Sequence, residues 1–477
     1  DVFRLAFRIP NLFRRLAAEG AFAAAFVPLF SGRLEADGRA AARAFAEEAL
    51  AVLLTALLIF TLLVEIAMPW LMVVIAPGFT GDPEKFGLAV LFTRLTFPYL
   101  LFMGLVALLG GVLNALYRFA AAAAAPVLLN VVLITALLVF ADALATPGHA
   151  LAWGVALAGA GQFVWMVAAC HRAGMRLRLP RPRLTPGVRR LWQLMIPAGL
   201  TAGVHQINLL IGAIVATLQG GAVSYLYYAD RVYQLPLGVV GIAIGTALLP
   251  TLSRNLRAGA VDAAMDNQAR AIEFSLLLTL PAMAALVTIA PPIVRVLFER
   301  GKFGADATEA TALALIAFAL GLPAYVLVKV LSPGFFARED MVTPLRISIA
   351  AVVANVVLTL ALFRAFGHVG IALATAASST LHAALLWIVL RRRGFLAIDG
   401  RLRARLPRML MASAAMALVV VGLAAGLETP LSGTTGARVA ALAVLVAAGL
   451  GAYALCAHVF GAAKLAELRA MLGRGSD

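Results

Sequence analysis

The stretch NVVLITAL, residues 130–137, returns as NVVLTLAL at residues 355–362. The displacement is 225 positions, and Pro98 recurs as Pro323 at the same displacement. VPLFS at 27–31 recurs as LPTLS at 249–253, displaced by 222. One short Val/Leu-rich match would carry little. Three in the same order, at nearly one displacement, mark an internal repeat.

The surroundings of these stretches say what the repeated unit is made of. Of 477 residues, 63% are hydrophobic and 13% charged, and mean hydropathy is +0.96. Soluble domains carry about 25% charge, so the chain reads as an all-α polytopic membrane protein. Apolar runs of about 20 residues mark spans, and thirteen are found between residues 1 and 460. The two cysteines, Cys170 and Cys456, make neither a disulfide framework nor a metal site, and the six histidines lack a ligand spacing. No cofactor and no metal is expected.

The net charge of +16 could suggest nucleic acid. Its distribution argues otherwise. Alternate loops, taken with the C-terminal tail, hold 26 of the 39 Lys and Arg, and the opposite loops hold 4. Cytoplasmic loops carry such an excess, which predicts a cytoplasmic C-terminus and no nucleic-acid partner.

The repeat pairs the segment at Asp1 with the span 222–252 and leaves the span 191–218 without a partner. One helix preceding Asp1 is therefore expected to be missing, so that 13 of 14 helices are present. Restoring it gives two six-helix lobes in parallel repeat plus two C-terminal helices. The expected divisions are 1–173 (helices two to six), 187–392 (helices seven to twelve), 405–461 (the two extra helices) and 462–477 (a tail). Parallel repeats related by an axis along the membrane normal occur in secondary transporters, which bind substrate between repeats near mid-membrane.

Cations inside spans cost about 2.5–3.5 kcal/mol each at the centre of a membrane helix, so each needs a reason. Arg15 has Glu19 four residues on, on its own helix face, and reads as a structural pair. Arg4 and Arg8 lie near the outer end, where long side chains can snorkel. Pro10 is expected to kink the helix. Arg14 has no carboxylate at three or four residues, and lies roughly 20 Å in from the outer end at about 1.5 Å per residue. In the second lobe, Asp230–Arg231 stands at a comparable depth. Asp230 falls about 100° round the helix from Arg231, which shares its face with Tyr227, Tyr228, Gln234 and Leu235. Distant structural acids could pair with Arg14 and Arg231; Glu65 and Glu273 are possible counter-ions. The functional alternative is an anion site, because guanidinium is a bidentate partner of phosphate. Lys329, in VKVLSPGFFARED, is a further cation beside an expected helix break, suited to a hinge, to snorkelling or to ligand contact.

FRIPNLFRRLAAEGAFAAAFVPLF (7–30 with flanks), APGF (76–79), LTFPYLLF (95–102), YYADRVYQLPLGVVGIAIGTALLPTLS (227–253) and VKVLSPGFFARED (328–340) resemble the MurJ (MviN) lipid II flippases. These belong to the multidrug/oligosaccharidyl-lipid/polysaccharide exporter superfamily. The likeness runs from Asp1 to about Gly461. It implies fourteen helices, a transporter rather than an enzyme, and a bacterial inner-membrane location. The implied partners are the bilayer and lipid II, the undecaprenyl-pyrophosphate-linked peptidoglycan precursor, carried from inner to outer leaflet by alternating access; a monomer is expected. The family's cavity arginines match Arg14 and Arg231, and its acidic motif positions match Asp1 and Asp230. Arg8, Arg15, Glu19 and Lys329 are expected as cavity or supporting charges, and the last two helices as a groove for the lipid tail. The sodium-binding carboxylates of some members are replaced, leaving Asn355 and Thr375 as remnants. Rival readings are an exporter of another polyprenyl-linked glycan or of drugs, a lipid-phosphate enzyme, and an inactive scaffold.

Overall fold

The computed structural model describes residues 1–13, 22–338, 340–397 and 399–462. Among these no strand occurs, and two compact units are found, Asp1–Val223 and Ser224–Asp477. The first holds α1 (Val2–Phe13), α2 (Ala23–Ala36), α3 (Gly38–Ile75), α4 (Pro83–Thr96), α5 (Tyr99–Ala115), α6 (Ala120–Phe140), α7 (Pro147–Arg172) and α8 (Pro186–Ala216). From α9 (Ala222–Arg257) onward the chain forms the second. That unit continues with α10 (Val261–Thr288), α11 (Ala290–Phe298), α12 (Ala305–Leu320), α13 (Leu322–Phe336), α14 (Val342–Phe366) and α15 (His368–Arg392). It ends with α16 (Gly400–Gly426), α17 (Glu428–Ser432) and α18 (Thr435–Val459).

Among the described residues, ten helical segments are long and apolar enough to cross a membrane. The three remaining apolar runs of the sequence coincide with α1 and α2, with α8 and with α9. The repeated prolines mark equivalent interruptions. Pro98 separates α4 from α5, and Pro323 sits in the first turn of α13, just after the break at Gly321. A proline lacks the N–H that a helix interior needs but is accommodated in a first turn. The apolar run at 271–298 is also divided. Pro291 and Pro292 fall in the first turn of α11, where the same rule ends α10. Pro10, by contrast, lies inside α1, which continues to Phe13.

Each unit packs an apolar interior and turns an apolar exterior outward. In the first, Phe26 is fully buried and stacks on Phe22, Phe30 and Phe45 at 5.2–5.7 Å between centroids. Gly111 of α5 leaves room for it; a Cβ there would stand 2.8 Å from the Phe26 ring. On α3 the opposite face exposes Leu58, Leu62, Ile66 and Trp70. A soluble monomer rarely exposes so continuous an apolar surface, whereas hydrocarbon is its natural solvent. Helix association is then driven by close packing and hydrogen bonds rather than by release of water. The loop between α3 and α4 illustrates this. Its 3-10 turn at Pro77–Phe79 lies against the end of α8, where Gly78 N–H donates to Thr217 Oγ1 at 3.3 Å.

Candidate functional site

The most informative helix is α9, whose first turns carry SYLYYADRVYQLP. Its apolar and aromatic positions dock within the second unit. Tyr228 packs on Phe298 and Phe303 at 4.6 and 5.0 Å, Tyr233 on Phe318 and Tyr325 at 5.0 and 5.4 Å, and Tyr225 on His368 at 5.4 Å. These contacts fix the rotation of the helix and leave Tyr227 and Arg231, one turn apart, exposed. The Arg231 guanidinium lies over the Tyr227 ring, 5.0 Å from its centroid. Asp230 does not pair with Arg231; it accepts a hydrogen bond from Gln234. No carboxylate among the described residues forms an ion pair with Arg231. Its charge is thus oriented by an aromatic face and open to an anion.

Five residues on, Pro236 enters the wall of an apolar cavity of about 300 Å³. The other walls come from Leu278 and Pro281 of α10, Met416 and Val420 of α16, and Leu445 of α18. Tyr453 of α18 closes on α10 by donating to the Leu277 carbonyl at 2.6 Å. A cation and a hydrocarbon-lined cavity therefore share one helix, about 7.5 Å apart along its axis at 1.5 Å per residue. Lys329 is also exposed, on α13, and its chain runs along α9 at Gly241, where a Cβ would meet Cδ at 2.9 Å.

The remaining charges sort differently. Arg14, Arg15 and Glu19 lie outside the described residues. Arg8 donates from Nη2 to the carbonyl of Leu209 on α8, at 3.1 Å. Asp1 Oδ2 accepts the Gly221 N–H at 2.7 Å, so this carboxylate holds the turn after α8. Asn355 is buried and bonded to Ser378 at 2.9 Å and Thr375 at 3.5 Å, while Thr359 donates to its oxygen at 3.4 Å. These four side chains tie α14 to α15. Glu65 stands 4.0 Å from Arg94, whose Nε also donates to the Glu65 carbonyl.

Glu273, expected as a possible counter-ion, takes arginine partners that the sequence reading did not connect to it. It is buried and ion-paired with Arg270, Arg401 and Arg405, while Arg270 also reaches Asp399, the residue that caps α16. The available signal was local. Arg401 and Arg405 are one turn apart on a helix, so a single acceptor can serve both.

With this geometry in place, comparison with known proteins is decisive. A sequence profile described as lipid II flippase MurJ matches residues 1–434. The chain belongs to the lipid II flippase MurJ family. The MurJ family is one of transporters, not of enzymes, and its members are multi-pass membrane proteins. A probable lipid II flippase MurJ of Rhizobium meliloti (strain 1021) is 47% identical over 485 residues, covering 100% of this chain and 90% of that protein. The lipid II flippase MurJ of Burkholderia cenocepacia is 37% identical over 403 residues, covering 83% and 77%. Among solved structures, a lipid II flippase MurJ in an inward closed conformation superposes with a TM-score of 0.78 at 22% identity, covering 96% of this chain and 92% of that one. A multidrug resistance MATE family transporter, inward-facing, follows at 0.66 and 17%, covering 82% and 90%. At these identities the two structures speak for the fold alone, and they agree on that of the MurJ family.

Proposed function

We propose that this chain moves lipid II from the inner to the outer leaflet of the bacterial inner membrane by alternating access, with its C-terminus in the cytoplasm and as a monomer. Arg231 binds the pyrophosphate, joined by Arg14, while Lys329, Asp230, Asp1, Arg8, Arg15 and Glu19 supply supporting charge. The prenyl tail stays in apolar surroundings along the cavity between α9, α10, α16 and α18.

One observation carries this reading: on α9 an exposed guanidinium without a carboxylate partner among the described residues stands one and a half turns from an apolar cavity. The pair matches a ligand with an anionic head and a hydrocarbon tail. Guanidinium offers the planar fork that phosphate oxygens accept. The same charge disfavours a cationic drug as substrate. A further exporter class, carrying another polyprenyl-linked glycan, would use the same two features.

The test is translocation of labelled lipid II in vesicles containing the reconstituted protein. Arg14→Ala and Arg231→Ala are each expected to slow it strongly. Normal rates in both would refute the anion site. Equal transport of lipid II and of an unrelated prenyl-pyrophosphate glycan would favour the other exporter class.

A further inference from the structure

Between α7 and α8 the chain runs from Ala173 to Thr185 without regular structure. Its sequence Met175-Arg176-Leu177-Arg178-Leu179 alternates apolar and basic residues. Alternation with period two places the two kinds on opposite sides of an extended chain. The burial follows this over the first four residues, where Met175 is buried and Leu177 half-buried while Arg176 and Arg178 are exposed; Leu179, at the end of the run, is exposed. The segment is fixed in place. Met175 N–H donates to the Cys170 carbonyl at 3.0 Å, Arg178 N–H to Glu47 Oε1 at 2.8 Å, and the Thr185 hydroxyl to Glu48 Oε2 at 2.7 Å.

Beneath this strap lies a second cavity, of about 320 Å³. That falls in the range of roughly 300–1,000 Å³ typical of small-molecule sites. Leu50 and Leu54 of α3, Leu105 and Leu109 of α5, and Phe163 and Val167 of α7 form its apolar walls. At its mouth stand Arg176, Arg178 and His171. Neither arginine side chain is ion-paired among the described residues. Of the two carboxylates that the strap touches, Glu48 accepts the Thr185 hydroxyl, and Glu47 is committed to Arg43 at 2.8 Å and to the Arg178 backbone. An apolar interior and a cationic rim thus meet at one end of a membrane-spanning bundle, where bilayer headgroups lie.

We infer that this cavity is a binding site for an anionic glycerophospholipid of the surrounding bilayer. An acyl chain enters between α3, α5 and α7, and the phosphate rests on Arg176 and Arg178. Basic pockets between membrane helices are the usual receptors of such headgroups, and charge complementarity selects them over zwitterionic lipids. The site lies wholly in the first unit and does not depend on what the protein transports.

The whole chain, reconstituted in phosphatidylcholine vesicles containing phosphatidylglycerol, is released into the gas phase and its retained lipid weighed by native mass spectrometry. Retention of phosphatidylglycerol over phosphatidylcholine by about tenfold is expected. The double variant Arg176→Gln/Arg178→Gln should abolish the preference, and Val167→Trp, which fills the cavity, should lower retention of both lipids. Arg181→Gln/Arg183→Gln removes equal charge from the same strap outside the cavity and should change nothing. No preference in the unaltered protein would overturn the assignment. So would an unchanged preference in the 176/178 variant, or an equal loss in the 181/183 control. Soluble glycerophosphate competing as well as the intact lipid would also overturn it, because the acyl chain would then be idle.

Discussion

The guanidinium of Arg231 sits over the ring of Tyr227, one helical turn away, with its carbon 5.0 Å from the ring centroid. A cation–π contact of this kind is worth about 0.5–1 kcal/mol at an exposed site, sufficient to orient a long side chain and too little to neutralise it. Removing the charge should therefore weaken anion binding far more than removing the ring. Charge-bearing hydrogen bonds contribute roughly 1.5–3 kcal/mol, so Arg231→Ala is expected to slow lipid II translocation about ten- to a hundredfold. Tyr227→Leu should slow it only a few-fold, and Tyr227→Phe hardly at all. Equal losses in Arg231→Ala and Tyr227→Leu would mean that the contact is structural.

Much of this arrangement was legible in the sequence. The paired prolines 98 and 323 marked the two interrupted helices, and the spacing of Arg231 from Asp230 showed that they occupy different faces. Other features were not legible, because they depend on residues far apart in the chain. Arg8 reaches a carbonyl 201 positions away, and Glu273 takes partners 128 and 132 positions away. Helical periodicity reports only neighbours within a turn or two. The break at Pro291–Pro292 lay within a continuous apolar run, where hydropathy alone gives length and not continuity.

Gly78 shows how tightly one such long-range contact is built. A Cβ at this position would stand 1.9 Å from the Thr217 carbonyl oxygen, a backbone atom that cannot swing aside. Gly78→Ala should push the 3-10 turn off α8 and lower the midpoint of thermal unfolding in detergent. Gly87→Ala, in α4 with open space around it, should raise stability slightly, by about 0.5–1 kcal/mol. If both substitutions shift the midpoint in the same direction, the close approach is not what makes residue 78 a glycine.

Glu273 gathers three arginines while only 5% exposed. Removing one partner of a buried ion pair costs about 3–5 kcal/mol because the others are left uncompensated. Glu273→Gln keeps the shape and removes the charge, so it should lower the unfolding midpoint markedly. Arg405→Gln should cost less and Arg401→Gln least, since Arg401 is 44% exposed and water can replace its partner. Differential scanning fluorimetry on the three purified variants would test that order; a reversed order would place the centre of the network elsewhere.

Asp340 supplies a pH signature at the start of α14. Hydrogen bonds from the Thr343 N–H, at 2.9 Å, and from the Thr343 hydroxyl hold its carboxyl down at about 2, below the ordinary 3.8, and the Arg393 guanidinium at 2.6 Å adds to the effect. Because the folded-state value is depressed, the stabilisation is present in full above the ordinary value and is lost as pH falls through the folded one. The relevant window runs from about pH 4 down to about pH 2. Asp340→Asn removes the titrating group. Its unfolding midpoint should lie below that of the unaltered protein at pH 6, and the gap should narrow as pH falls across that window. The carboxylate is close to solvent and screened by salt, so the gap should be small and should shrink further at high ionic strength. A gap that stays constant from pH 6 to pH 2 would mean that Asp340 acts through shape alone.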